Sequence, residues 1–373
     1  MRRAGERGRW IAAGVAAVVA SGVGVASGEA TAVAAPQAQV VTTVLPVFDN
    51  GDPLASHAAQ DINNSGQIVG LSADRPVLWQ NGQITDLGPG RPDMFSANWI
   101  NDRGQIVGQT SVVGGQHAYL LTDGQVVDID GDATSSQAHD INERGDVYLS
   151  KSVDGHDAVG VWSDGTFREI VAPADHDIDL AYTLSENGHV AGTFRRGVCS
   201  PPAQTCTVQA FVWQDGTLTV FPGRGWAQSV NASGDVIGFN DAGSVVWRNG
   251  VATPLGILPA SINDRGQIVG RAATWWGWGP VHAFLWQDGW AYDLGTLGGS
   301  TSSASRINER GQVTGISTTA SGATHAFLWD AGQMHDLGPA AGAPAALNDR
   351  GQAIGYPAGT NTLFRVPVLW ELR

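Results

Sequence analysis

Ile262-Asn263-Asp264-Arg265-Gly266-Gln267-Ile268-Val269-Gly270 is the stretch that decides how this chain folds, because it keeps returning. Close copies run from Ile62 to Gly70, Ile100 to Gly108, Ile307 to Gly315 and Leu347 to Gly355, and looser ones start at Ile141, Leu184 and Val230. Eight copies spread over the chain imply an array of small alike units and exclude one unrepeated core. The glycines in the middle of the copies (Gly66, Gly104, Gly145, Gly188, Gly234, Gly266, Gly311 and Gly351) stand 32 to 46 residues apart. That spacing brackets the ~40 to 45 residues of a four-stranded propeller blade.

The unit from Ala304 to Gly338 shows why each repeat makes strands. Ser305-Arg306-Ile307-Asn308 is extended in character, Glu309-Arg310-Gly311 is a turn, and Gln312 to Ile316 is rich in β-branched residues. Two such runs joined by a Gly-ended loop predict a hairpin with a positive φ at Gly311. After a polar loop comes the apolar run His325-Ala326-Phe327-Leu328-Trp329. Asp330-Ala331-Gly332 then turns the chain into Gln333 to Gly338.

Six of the eight units carry Asn-Gly or Asp-Gly at this second turn: Asn81-Gly82, Asp123-Gly124, Asp164-Gly165, Asp215-Gly216, Asn249-Gly250 and Asp288-Gly289. These dipeptides tolerate the two positive φ values of a type I′ hairpin. The strand before the turn is apolar at successive positions, as in Val246-Trp247 and Leu285-Trp286, which predicts a strand covered on both faces. Each unit is therefore expected to be a four-stranded meander.

The fold class that follows is all-β, an eight-bladed propeller of antiparallel blades. The expected blades are 55–90, 95–130, 136–172, 179–222, 226–257, 259–298, 304–338 and 344–372 plus 41–47. The last unit lacks its fourth strand, and a spare strand precedes the first. Pairing the N-terminal strand at about 41–47 with the C-terminal one at about 366–372 would complete blade eight and close the ring. The alternative, a solenoid or open array, would need polar capping repeats that are not seen.

Residues 1–34 are of another kind. Arg2, Arg3, Arg7 and Arg9 precede an uncharged run from Trp10 to Gly28 and then small residues, the layout of a cleaved secretory signal peptide. A membrane anchor is the alternative, but the run is rich in Gly and Ala. Residues 35–373 then form a single secreted, extracellular domain with no stable membrane insertion. The net charge is −14; removing residues 1–34 takes away four arginines and two glutamates and leaves −16. So acidic a surface repels phosphate backbones and excludes nucleic acid as a partner. Cys199 and Cys206, the only two cysteines, are expected to form a local disulfide in an oxidising compartment.

His282-Ala283-Phe284-Leu285-Trp286 and His325-Ala326-Phe327-Leu328-Trp329 resemble the signature of the HAF-repeat family of extracellular repeat proteins. The flanking Asp293-Leu294-Gly295-Thr296-Leu297-Gly298-Gly299 and Ile307-Asn308-Glu309-Arg310-Gly311 belong to the same pattern. The resemblance covers residues 40–373 and implies secretion and a propeller-like fold without assigning an activity. Units three to five depart most, with Ala158-Val159-Gly160 and Gln209-Ala210-Phe211 in the tripeptide position and Ser185 in place of Asn.

Chemistry is harder to find. His117, His282 and His325 recur at equivalent places and are expected to be structural, as is the series Asn63, Asn101, Asn142, Asn231, Asn263, Asn308 and Asn348, whose amides should cap the turns that follow. Asp128-Ile129-Asp130-Gly131-Asp132 fails as an EF-hand, with Ala133 where that loop needs Gly and His139 where it needs Glu. A solvated turn is the default there and another oxygen-rich calcium site the alternative. No catalytic motif, cofactor or metal ligand is assigned.

The loop Thr274-Trp275-Trp276-Gly277-Trp278-Gly279-Pro280 places three tryptophans in four positions, which suits a sugar-stacking or protein-anchoring surface or else a local apolar lid. Trp275, Trp276, Trp278 and Trp290 are therefore the candidate ligand-binding residues, with Trp226 as a further contributor. The sequence predicts a monomeric, non-catalytic binding propeller for a carbohydrate or an extracellular protein. A polysaccharide-acting hydrolase or lyase with carboxylates at the channel mouth is one alternative, and a structural envelope protein is another.

Overall fold

The computed structural model describes residues 39–373 except 50, 52–54, 91–92, 114, 132, 198–205, 275–278 and 359–365. The leader predicted for residues 1–34, Cys199 and the three tryptophans at 275, 276 and 278 lie outside the described residues. Residues 38–373 form one compact unit. Within it eight four-stranded antiparallel sheets follow one another as blades of a propeller.

Blade six is representative, with strands Leu258–Ile262, Ile268–Ala273, Val281–Gln287 and Trp290–Asp293 from the inside outward. The turns behave as their residues dictate. Asn249 and Gly250 both have positive φ, 48° and 79°, as do Asp288 and Gly289. Gly311 lies at 84°. A meander puts the first and third turns of every blade at one face of the ring. The loops between second and third strands, and the crossings to the next blade, lie at the other.

The repeated final glycine of the motif has a different cause. A one-residue bulge interrupts the innermost strand of blade six between Pro259 and Ser261, and similar register shifts occur in blades one to five and seven. The bulge carries the inner strand's backbone against the second strand. A Cβ on Gly270 would stand 1.9 Å from the Leu258 carbonyl oxygen, and one on Gly238 would stand 1.9 Å from that of Trp226. At these two positions any side chain would collide with backbone, whereas blade three takes Leu149 at the corresponding place opposite its own bulge.

The core sits between the blades. Eight apolar clusters each join side chains of two neighbours, for example Ile237, Val246 and Leu255 of blade five with Ile262, Ile268 and Trp286 of blade six. Third-strand tryptophans Trp79, Trp247, Trp286 and Trp370 are 1 to 3% exposed. No blade could bury this surface alone.

The ring closes as the termini predict. Val40–Val44 pairs antiparallel with Val368–Leu372 in the order N-terminal strand, third, second and first strand of blade eight. Leu45 then enters the cluster shared by blades eight and one, and Trp79 Nε1 donates to the Pro46 carbonyl at 2.6 Å.

The asparagines do more than the sequence suggested. Asn263 Oδ1 accepts the Gln267 N–H at 3.0 Å, capping the turn, while its Nδ2 donates to Gln267 Oε1 at 2.8 Å and to the Asn308 carbonyl of the next blade at 3.0 Å. The cross-blade bond repeats from Asn63 to Asn101, Asn101 to Asn142, Asn142 to Ser185, Asn231 to Asn263, Asn308 to Asn348 and Asn348 back to Asn63. Ser185 cannot reach across, and Asn187 Nδ2 bridges that step by donating to the Ala232 carbonyl at 2.9 Å. A belt of amides, buried at every step but the one made by Asn187, thus runs round the ring.

Asn263→Ala deprives the buried Asn308 carbonyl and Gln267 amide of their partners, at about 1 to 3 kcal/mol for each group left unsatisfied. We expect the denaturant midpoint of Asn263→Ala to fall clearly, and that of the exposed control Asp241→Ala to stay within error of the parent. Equal midpoints would show that the belt contributes nothing.

Candidate functional site

The two faces differ in chemistry. At the face of the first turns, the residue after each belt position carries a carboxylate in six blades: Asp102, Glu143, Glu186, Asp264, Glu309 and Asp349. Each accepts a backbone N–H from the preceding blade. Glu143 takes that of Asp102 at 2.9 Å, Glu186 that of Glu143 at 2.8 Å, Glu309 that of Asp264 at 3.0 Å and Asp349 that of Glu309 at 2.8 Å. Asp102 and Asp264 serve Asn64 and Ala232 in the same way.

Burial pushes the carboxyls of Glu143, Glu186 and Glu309 above the usual range, and neighbouring acids of the ring add to it. Arg103 and Arg265 partly offset the effect at Glu143 and Glu309. One step deeper, on the innermost strands, Asp61 accepts the Ile100 N–H and Asp140 the Leu184 N–H. Burial raises the pKa of Asp140 to about 7, with Asp61 and Glu186 contributing repulsion.

The sign of the resulting pH dependence is set by which state holds the proton. Between 3.8 and about 7 folded Asp140 keeps a proton that the unfolded chain has released, so this group's contribution to stability falls as pH rises through that window. Asp140→Asn should therefore be more stable than the parent at pH 8 and level with it near pH 4. Thermal unfolding midpoints at the two pH values test this, and an advantage that is the same at both would contradict it.

The opposite face, with the longer loops, is where the clefts are. Blade five is truncated: only 32 residues separate Gly234 from Gly266, and its second strand Val236–Asn240 turns at once into Gly243–Arg248. Its neighbours' strands rise past it and leave an open cleft of about 910 Å³ over blades five to seven. Arg271, Leu258 and Val281 line one side, and Thr301, Ser303 and Thr318 of blade seven line the other, with Ser302 and Ser317 buried and hydrogen-bonded within the protein. The cleft continues inward, through Leu258 and Arg271, into a cavity of about 590 Å³ that reaches Trp226, Gln228 and Phe239.

The apolar floor is open to solvent. Trp226 is 40% exposed, Leu258 49% and Val281 38%, and it is their grouping in adjoining clefts, not the exposure of any one of them, that marks a surface for binding. Gln228 Oε1 is buried and receives no hydrogen bond among the described residues. A second, more polar cleft of about 1030 Å³ lies over blades two to four, with Lys151, His156 and Glu169 in its lining.

The candidate tryptophans separate. Thr274 N–H donates to the Pro280 carbonyl at 3.0 Å, which pins the base of the tryptophan loop beside Ala273 and Val281 at the rim of the first cleft. Trp275, Trp276 and Trp278 themselves are outside the described residues. Trp226 lines the inner cavity. Trp290 is 60% exposed but follows the Asp288-Gly289 turn, at the face of the carboxylates, and is not part of the cleft. Sequence periodicity cannot separate these faces, because the fourth strand runs in the opposite direction to the third. Leu258 and Gln228 were missed; the only signal was the short unit five.

Two of the three recurring histidines, His282 and His325, hold their blades together as expected. His282 Nδ1 meets Asp293 at 2.8 Å and His325 Nδ1 meets Asp336 at 2.8 Å, each pairing the third strand with the fourth. Cys206 immediately precedes the third strand of blade four, Thr207–Gln214.

Comparison with known proteins bears on the fold alone. No protein-family model matches the chain, and no curated protein matches it significantly. Among solved structures, dipeptidyl peptidase 4 from Porphyromonas gingivalis is similar to it, with 10% identity and a TM-score of 0.55 over 79% of this chain and 56% of that one. The β-propeller domain of the trilobed protease from Pyrococcus furiosus also matches, with 11% identity and a TM-score of 0.48 over 75% of this chain and 97% of that one. At such identities the likeness is one of architecture.

Proposed function

We propose that this protein is a secreted, non-catalytic propeller that binds a carbohydrate in the cleft over blades five to seven, with an extracellular protein as the alternative ligand. The observation that carries the reading is the 40% exposed indole of Trp226 in a cavity that Gln228 also lines. An aromatic face with the hydroxyl-bearing Thr301, Ser303 and Thr318 in the adjoining cleft suits a sugar ring, which offers an apolar face and a rim of hydroxyls. Trp275, Trp276 and Trp278 would extend this platform from the rim. The HAF-like repeats and the basic, apolar and small-residue order of residues 1–34 support secretion, and secretion in turn supports pairing of Cys199 with Cys206. Intact mass with and without reduction, and N-terminal sequencing of protein from the medium, test both points.

A glycan array probed with the parent, Trp226→Ala and the combined Trp275→Ala, Trp276→Ala, Trp278→Ala variant tests the site. Loss of a buried aromatic anchor costs about 2 kcal/mol, or ~30-fold in affinity. An array profile that Trp226→Ala leaves intact would take the inner cavity out of the account, and one that the triple variant leaves intact would take out the loop.

The second reading, a polysaccharide hydrolase or lyase, is favoured by the raised carboxyl pKa values at the channel mouth. Against it, each of those carboxylates already accepts a backbone N–H from the neighbouring blade. Release of reducing ends from polysaccharide, abolished in Glu186→Gln, would revive it. A purely structural envelope role predicts no concave site, and the two clefts weigh against that.

A further inference from the structure

In blade two the histidine–aspartate pair seen in blades six and seven is rebuilt. The four related segments read Asp86-Leu87-Gly88, Asp293-Leu294-Gly295, Asp336-Leu337-Gly338 and, in blade two alone of these, Asp128-Ile129-Asp130. A second carboxylate thus stands where the others have glycine. His117 follows it: its Nδ1 lies 3.1 Å from Asp130 Oδ1 and 3.9 Å from Asp128 Oδ2, whereas His282 and His325 sit 2.8 Å from their aspartates in hydrogen-bonded geometry.

We propose that His117 Nδ1, Asp130 Oδ1 and Asp128 Oδ2 form a binding site for one divalent cation of the zinc class. The three atoms lie within 4.8 Å of one another. Tetrahedral ligands at ~2.0 to 2.1 Å from zinc are about 3.3 Å apart, and the two measured separations from the imidazole bracket that value. The buried partner gives the independent sign. The Asp130 side chain is 0% exposed, and its Oδ1 receives no hydrogen bond among the described residues. A buried carboxylate oxygen without a donor, facing an imidazole nitrogen, is a costly arrangement that a shared cation would satisfy.

The surroundings fix both carboxylates. Ser136 Oγ donates to Asp130 Oδ2, and Asp128 Oδ1 accepts the N–H groups of Asp130 at 3.1 Å and Gly131 at 3.2 Å. Each aspartate therefore has one oxygen anchored and the other turned to the site, the outer support that metal ligands require. Asp128 is 59% exposed, so the site opens to solvent and has room for water as a fourth ligand. An imidazole with two carboxylates suits zinc better than calcium, which takes six to eight oxygens.

Calorimetric titration of chelator-treated full-length protein with ZnCl2, and separately with CaCl2, tests the site. One equivalent of zinc is expected to bind the parent, with calcium at least ~100-fold weaker. Asp130→Gly restores the residue that blades one, six and seven use and should fold; it is expected to lose the zinc isotherm. Asp130→Asn, which keeps the shape, should lose it too. Ser136→Ala is expected to weaken zinc about 10- to 100-fold through loss of its support. Far-UV circular dichroism checks that each variant is folded. A parent that binds no zinc, a folded Asp130→Gly that binds as the parent does, or tighter calcium than zinc would each overturn the proposal.

Discussion

A chain that begins at Phe48, without Val40–Val44, Leu45 and Pro46, should lose on the order of 5 kcal/mol of stability and associate through blade eight. Burial of the Leu45 side chain contributes about 2 to 3 kcal/mol, and several backbone hydrogen bonds contribute roughly 1 kcal/mol each. Those bonds include the paired register from Val40 with Leu372 to Val44 with Val368, together with the exchange between Gln39 and Arg373. Deleting the strand bares the edge of Val368–Leu372, whose Val368 and Trp370 are only 2% exposed. A bare apolar edge pairs with other chains. Thermal unfolding and light scattering measure the two effects, and a synthetic peptide spanning residues 39–47 should restore the monomer by adding itself as the missing strand. A truncated chain that stays monomeric with the parent's melting temperature would show that the closure does not hold the ring.

Gly270→Ala should cost about 3 kcal/mol or more, a large penalty for one methyl group. Its Cβ would meet Leu258 O at 1.9 Å, Leu258 C at 2.8 Å and Pro259 Cα at 2.9 Å, all backbone atoms that no rotamer change can move. Overpacking of this kind costs ~1 to 3 kcal/mol even where side chains can yield. The comparison that isolates the cause is Gly289→Ala. Gly289 has a φ of +87° and nothing within 4 Å of its Cβ position, so only the left-handed backbone is penalised, at about 1 to 2 kcal/mol. Denaturant midpoints should rank the parent above Gly289→Ala and that above Gly270→Ala. The reverse order would mean that the bulged inner strand of blade six moves aside easily, and that the last glycine of the repeat serves some other end.

Much of this molecule could be read from local pattern. The Asn-Gly and Asp-Gly turns take positive φ because their side chains and hydrogen atoms permit it, and no distant contact is needed. The unpaired terminal strands announced the closure for a similar reason: a four-stranded unit short of one strand at one end needs its complement from the other. Periodicity could not reveal that Asn263 reaches into blade seven, since a cap on its own turn and a bond to a neighbour leave the same residue in the sequence. The last glycine was visible in seven of the eight copies but its purpose was not, because in blades such as the sixth the bulge that presses on it lies on another strand.

The candidate site divides in the same way. The short fifth unit and the Trp275–Trp278 loop stood out in the sequence, yet the cleft exists only because Leu258 of blade six is left uncovered by a blade that ends early. Trp226 and Gln228 meet there from an inner strand, while Trp290 is carried to the other face by the direction of its strand. By repeat position His117 is one member of the series with His282 and His325, and only the fold sets it beside Asp130, which stands where the related segments carry glycine. The unit, the number of units and the way the ends meet were legible in the chain alone, since they follow from short-range turn chemistry and counting. Which side chains stand together on a face, in a cleft or in the cluster of His117, Asp128 and Asp130 is set by the folded ring, because proximity between strands depends on how it brings distant segments side by side.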